Sequence, residues 1–187
     1  VAAKDNRLSL AYQPKALPLP LCDEYRKDDE IYPLTEKFNR EILAVEGLVD
    51  GDYVVKAAGR PLGTFTASEL KRGVNLALLD TPAQRQAQKA LGTMRELQGV
   101  VSTLRGLVHM ELVAAGRKAD VTDYVATTNS LWTWIAEMEA KKSPYVGYYR
   151  GQVKAYCERK PQEGDMKAKV EDLYRRMAAE ATPAGYE

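Results

Sequence analysis

Over the first 65 residues the apolar and polar positions alternate or fall in short runs, a pattern that predicts strands. Arg7 to Gln13 puts Leu8, Leu10 and Tyr12 on one face. Ala16-Leu17-Pro18-Leu19-Pro20-Leu21 follows, and its prolines at i and i+2 exclude a central strand while suiting an extended edge or crossing segment. Asp23 to Glu30 is charged and belongs at the surface. Asn39 to Leu48 is a further strand candidate. Residues 52–65 predict a β-hairpin, with Asp52 to Ala58 running into a turn at Gly59-Arg60-Pro61 and Leu62 to Phe65 returning.

After Phe65 the period becomes helical. Thr66 and Glu69 have the spacing of a capping box, and Gly73 closes the short helix they open. Asn75 to Leu79 is largely apolar and expected to be buried. Thr81 then caps a second helix, with Pro82 at its first position and Gln84 completing the box. Ala90, Met94, Leu97, Val101, Leu104, Val108 and Leu112 recur at gaps of 3 or 4, which predicts one apolar stripe along a long helix ending at Gly116. Asp120 is expected to cap the next helix, with Tyr124, Thr128, Leu131, Ile135 and Met138 inward. Ser143-Pro144 opens a third, to about Arg159. Pro161 to Gly164 breaks the chain, and Asp165 caps a fourth with Met166, Val170, Leu173, Met177 and Ala181 at helical spacing. The predicted class is α+β. A small antiparallel, sandwich-like β unit over residues 1–80 precedes a helical region over 81–187, a bundle of four helices whose first is unusually long. Short connections favour antiparallel helix hairpins.

Composition narrows the function classes. Apolar residues make up 45% and charged residues 28%, ordinary for a folded globular chain. The 27 basic and 26 acidic side chains nearly cancel, so no long-range field gathers nucleic acid or an anionic membrane. No apolar run approaches the roughly 18 residues of a membrane span. Cys22 and Cys157 stand 135 residues apart and outside any CxxC pair. Two free buried thiols are favoured, with a disulfide joining the two halves as the alternative.

The inventory for catalysis is thin. The one histidine, His109, sits in the long helix beside the apolar stripe, and Glu111 cannot face it from two positions away on a helix. It reads as structural. Asp28-Asp29-Glu30 reads as a solvated charge run and lacks the alternation of a calcium loop. No glycine pattern forms a phosphate cradle. No catalytic, metal-binding or cofactor-binding residue is therefore assigned. One aromatic cluster stands out: Trp132, Trp134, Tyr145, Tyr148, Tyr149 and Tyr156, interleaved with Arg150 and Lys154. Two helices meeting through their rings is the favoured reading. A surface that stacks on sugars is the functional alternative, with Trp132, Trp134, Tyr145, Tyr148 and Tyr149 as its candidates.

From Leu34 to Pro82 the order of short motifs is distinctive. Leu34-Thr-Glu-Lys-Phe-Asn-Arg40 is followed by Leu43-Ala-Val-Glu-Gly-Leu48, Gly51-Asp-Tyr-Val-Val-Lys56 and Gly59-Arg-Pro-Leu-Gly-Thr-Phe65. Ser68-Glu-Leu70, Gly73-Val-Asn-Leu-Ala77 and Asp80-Thr-Pro82 complete it. With Leu17-Pro-Leu-Pro20 upstream, this order resembles the region after the catalytic domain in larger bacterial GDSL-like lipase/acylhydrolase proteins of the SGNH superfamily. The resemblance covers residues 8–90 well and the helical half loosely.

That resemblance implies ester hydrolysis by a serine nucleophile, with a GDS-type motif, an oxyanion-binding GxND motif and a terminal DxxH motif. None of these is present. Asn129-Ser130-Leu131 lacks the Gly-Asp and lies in a predicted helix, and Gly106 stands where DxxH, read onto His109, needs aspartate. The start at Val1-Ala2-Ala3-Lys4-Asp5, without methionine, fits a chain that begins after the catalytic blocks. The implied role is a non-catalytic C-terminal portion, a scaffold or substrate-cleft accessory. The implied partner is an SGNH catalytic domain, covalently linked or a companion chain, acting on an acyl or carbohydrate ester, and the implied location is exported, periplasmic or extracellular. A stand-alone carbohydrate- or protein-binding module is the competing expectation. A helical adaptor that self-associates through the stripe is a third.

Overall fold

Short antiparallel strands and long helices make this an α+β protein. Residues 2–4, 7–20, 29 and 31–187 are described by the computed structural model. Cys22, most of the charged stretch from Asp23 to Glu30 and with them the question of a Cys22–Cys157 pair lie outside these residues. Among the described residues Cys157 has no disulfide partner, and it is half-buried. Contacts within the chain group it into two units, one of residues 1–94 with 176–187 and one of residues 95–175.

Among the described residues of the first unit the strands pair as three separate two-stranded ladders, in place of the sandwich-like arrangement that the sequence predicts. β1 (Ala2–Lys4) pairs with β2 (Arg7–Ser9), so the strand predicted to reach Gln13 is shorter. Leu34–Phe38, read from sequence as part of a β region, forms a short helix, α1. Asp29 starts it: its carboxylate accepts the Thr35 amide at 2.8 Å, a role the reading of a solvated run missed. That amide bond holds the Asp29 carboxyl below the usual carboxylate range. The strand predicted over Asn39 to Leu48 shrinks to β3 (Ile42–Leu43), paired with β6 (Val74–Asn75).

The hairpin is real: β4 (Asp52–Ala57) and β5 (Arg60–Thr66) pair in register from Asp52 opposite Thr66. The turn is Ala58-Gly59, both with positive φ, one position before the expected one. Arg60 already belongs to β5, and the register shifts between Val55 and Lys56, opposite the proline-containing stretch. The Thr66 capping box is complete, opening α2 (Ala67–Arg72), with Gly73 at φ +97° as its C-cap. Of the apolar run Asn75 to Leu79 only Ala77 is deeply buried, and Leu78 is exposed.

α3 spans Pro82–Gly116. Thr81 caps it, its hydroxyl accepting the Gln84 amide at 3.0 Å. The second half of that box is not made, because the Thr81 amide goes to the Leu79 carbonyl at 2.7 Å. In the second unit, Leu107, Met110 and Ala114 of α3 join Leu131 and Ile135 of α4 (Tyr124–Ala140), and Val153 and Tyr156 of α5 (Val146–Arg159), as a buried core. Each of the leucine, methionine, isoleucine and valine side chains among them contributes roughly 1.5–3 kcal/mol by leaving water. The single-stripe expectation therefore fails at the end of α3, where Val108 and Leu112 face solvent. Adjacent apolar pairs such as Leu107-Val108 offer two faces, and α4 and α5 choose one.

Asp123, not Asp120, caps α4, accepting the amides of Val125 and Ala126. Asp120 instead accepts the Thr122 amide and hydroxyl in the preceding turn. Thr127 is buried where Thr128 was expected to be, and Tyr124 is exposed. No break separates the last two elements. A 3₁₀ turn at residues 160–162 runs directly into α6 (Glu163–Ala181), which leaves Asp165 inside the first turn rather than at its cap.

Candidate functional site

The first unit carries a groove of about 1000 Å³. Its position follows from two asparagines. Asn39, the buried C-cap of α1, clamps the extended Leu17–Pro20 segment at one residue: its Oδ1 accepts the Leu19 amide at 2.8 Å and its Nδ2 donates to the Leu19 carbonyl at 3.1 Å. Prolines 18 and 20 keep that segment extended, so it needs a side chain to satisfy its backbone. Asn75 repeats the device. Its Nδ2 donates to the Asn39 carbonyl at 3.0 Å, and its Oδ1 accepts the amides of Glu41 and Ala77 at 2.9 and 3.2 Å.

The clamped segment forms one wall. Phe38, Leu91, Met94 and Met177 supply further apolar surface, and Glu41 adds a carboxylate. The Tyr186 hydroxyl donates to Glu41 Oε1 at 3.1 Å, while Oε2 is shielded from solvent without a hydrogen-bond partner. Burial, then the Glu41 charge, raises the Tyr186 hydroxyl above the ordinary tyrosine range, and the same causes raise Tyr12. Both phenols stay protonated beside a carboxylate, and that of Tyr186 acts as the donor to it.

The sequence-predicted aromatic candidates divide. Trp134 and Tyr149 pack ring against ring at 4.8 Å and lie against the core of the second unit. Tyr156, fully buried, is stacked 6.3 Å from Tyr124 and belongs to the core itself. Burial, then Glu111, pushes its hydroxyl up to about 12. Tyr145 and Tyr148 are 65% and 64% exposed, and Trp132 is also exposed. Tyr148 meets Tyr149 edge to face at 5.1 Å, so an exposed ring continues the packed pair. Beside the core, Lys160 bridges Glu111 and Glu163. Burial works against its charge, but the two carboxylate hydrogen bonds outweigh it and hold the ammonium above the ordinary lysine range.

His109 is exposed and bonded to neither a nucleophile nor a carboxylate among the described residues. Among those residues no group of three or more histidine, cysteine, aspartate or glutamate side chains is placed to hold a metal ion. What the groove offers is an apolar surface with fixed walls and a few polar groups, suited to binding. Sequence reading missed Asn39, Glu41, Asn75, Tyr12 and Tyr186 as partners. Asn75, inside a run otherwise apolar and strand-like, was the one legible signal, since asparagine is depleted from strands unless its side chain bonds backbone.

No family model and no curated protein matches the chain. Its fold is similar to that of a solved structure, the gut microbial diltiazem-metabolizing enzyme BT4096, with a TM-score of 0.68 at 23% identity. The match covers 94% of this chain and 41% of that one, so this chain spans about two fifths of the enzyme's length. At this identity the likeness establishes a shared fold.

Proposed function

We propose that this chain is the non-catalytic C-terminal portion of an SGNH-type serine ester hydrolase, serving as a scaffold and substrate-cleft accessory to a catalytic domain elsewhere in the same polypeptide. The observation that carries the reading is the fold shared with two fifths of an enzyme's chain. The motif order from Leu34 to Pro82 supports it, because that stretch holds Asn39, Glu41, Asn75 and Thr81, which fix the groove wall and the start of α3. In this reading the chemistry lies in the other portion. A serine attacks the ester carbonyl, a histidine takes its proton and returns it to the leaving alcohol, and water releases the acyl group.

Two measurements on the native polypeptide test this. The coding region upstream of Val1 is expected to carry GDS-, GxND- and DxxH-type blocks, and a fluorophosphonate probe is expected to label one serine outside residues 1–187. An upstream region without these blocks, or labelling of a serine within 1–187, overturns the reading.

The exposure of Tyr145 and Tyr148 favours a second reading, a carbohydrate-binding face. Titration with soluble oligosaccharides would then shift the ring resonances of Tyr145 and Tyr148 and leave those of Tyr156 unmoved. No shift at millimolar sugar sinks it.

A further inference from the structure

The groove of the first unit is open where an apolar surface is costly to leave open. Phe38 is 71%, Leu19 50% and Met94 38% exposed at its mouth. Single apolar residues scattered on a surface carry no message, but a contiguous apolar groove marks a contact. Its walls are fixed in advance by the Asn39 clamp on Leu19, so an incoming surface meets a formed receptor.

Charge and chain length narrow the occupant. Lys15 and Arg40 line the groove, are exposed, and pair with no carboxylate among the described residues. Their complement is acidic. The chain also matches only 41% of a longer enzyme, so more than half of that enzyme's polypeptide lies outside the match. We propose that the groove is the docking site for the catalytic portion of the same polypeptide, receiving an apolar ridge flanked by aspartate or glutamate. The proposal rests on the function read above and adds the face on which the two portions meet.

Hydroxyl-radical footprinting of the native, full-length polypeptide tests it, with Tyr145 and Tyr148 of the second unit as internal standards. Phe38 and Met94 are expected to be labelled roughly tenfold more slowly than exposed rings, as befits the desolvated centre of an interface. In the same polypeptide Phe38→Asp is expected to raise labelling at Met94 several-fold and leave Tyr148 unchanged. Should that variant fail to fold, the ratio in the unaltered protein still decides. If the catalytic blocks are present upstream and Phe38 is labelled as fast as Tyr148, the docking face is wrong and the function stands. Protection that vanishes on dilution assigns the groove to a second copy and overturns the proposal. If the blocks are absent upstream, the function falls and this occupant falls with it.

Discussion

Tyr12 and Tyr186 hold each other through both backbone and ring. Each amide donates to the other's carbonyl, at 2.8 and 2.9 Å, and the rings meet edge to face with centroids 5.5 Å apart. The Tyr186 hydroxyl also reaches Glu41. Tyr186→Phe would keep the ring contact and strip Glu41 Oε1 of that donor, leaving a carboxylate whose other oxygen is already unpartnered. A loss of about 1–2 kcal/mol is expected. Tyr186→Ala should cost more, about 2–4 kcal/mol. Urea denaturation followed by near-ultraviolet circular dichroism would measure both, and a Tyr186→Phe variant as stable as the parent would show that the hydroxyl contributes nothing.

Asn39→Ala should cost about 2–4 kcal/mol, because it leaves the Leu19 amide and carbonyl without partners in a segment whose prolines cannot re-form a ladder. Hydrogen exchange at the Leu19 amide is the local readout. Unchanged protection there would mean that the clamp is incidental.

Gly73→Ala places a Cβ 2.6 Å from Ile42 Cγ2 at a φ of +97°. Both strain and clash act, and a loss of about 2–4 kcal/mol is expected. Ile42→Ala removes only the clash, so the double variant should recover part of the loss and no more. Full recovery would place the whole effect in the side-chain contact.

Lys118 and Lys142 both sit at positive φ, +65° and +52°. Each closes a helix with the paired bonds of a Schellman turn, Ala119 to Ala114 and Lys118 to Ala115 at one, Ser143 to Met138 and Lys142 to Glu139 at the other. Glycine accepts this conformation without strain and loses more chain entropy on folding. The balance favours Lys118→Gly and Lys142→Gly by about 0.5–1 kcal/mol each. Thermal scans in which either variant melts below the parent would contradict this.

Alkaline pH should loosen the second unit through Tyr156. Its pKa is raised from 10.0 in water to about 12 in the fold, by burial and then by Glu111. The folded state therefore favours the protonated phenol. Its contribution is intact below pH 10 and drains away as pH rises from 10 towards 12. Tyr156→Phe, which cannot ionise, should flatten that part of the pH–stability curve. A curve of unchanged slope would refute the assignment.

Much of this architecture was legible where one local rule sufficed. The Thr66 and Glu69 spacing, the hairpin over 52–65 and the long helix after Thr81-Pro82 each rest on contacts within a few residues, and each formed. The misreadings share a cause, competition between near-equivalent local choices settled from afar. Asp120 and Asp123 are both fit to cap α4, and the buried Thr127, bonded to the carbonyls of both, settles the register. Leu34 to Phe38 alternates weakly enough to pass for strand until Asp29 anchors it as a helix. The groove could not be read at all, because Leu19, Asn39 and Asn75 are brought together over separations of 20 and 36 residues. Of the aromatic candidates, composition could name the rings but not which side of a helix they occupy. Trp134 and Tyr149 turned inward while Tyr145 and Tyr148 did not.

The first unit is built from two stretches of chain, residues 1–94 and 176–187, and the second from the continuous stretch between them. This imposes an order in time. During synthesis, at roughly 5–20 residues per second, the intervening stretch emerges whole before residues 176–187 and can bury Leu107, Leu131 and Tyr156 together without them. Residues 1–94 emerge earlier but wait, with Tyr12 unpaired and the Ala58 amide without the Glu187 carbonyl, until residues 176–187 have cleared the ribosome. Of the two units, the one begun earlier is the one finished later, and through that interval its apolar wall is the surface a chaperone would meet.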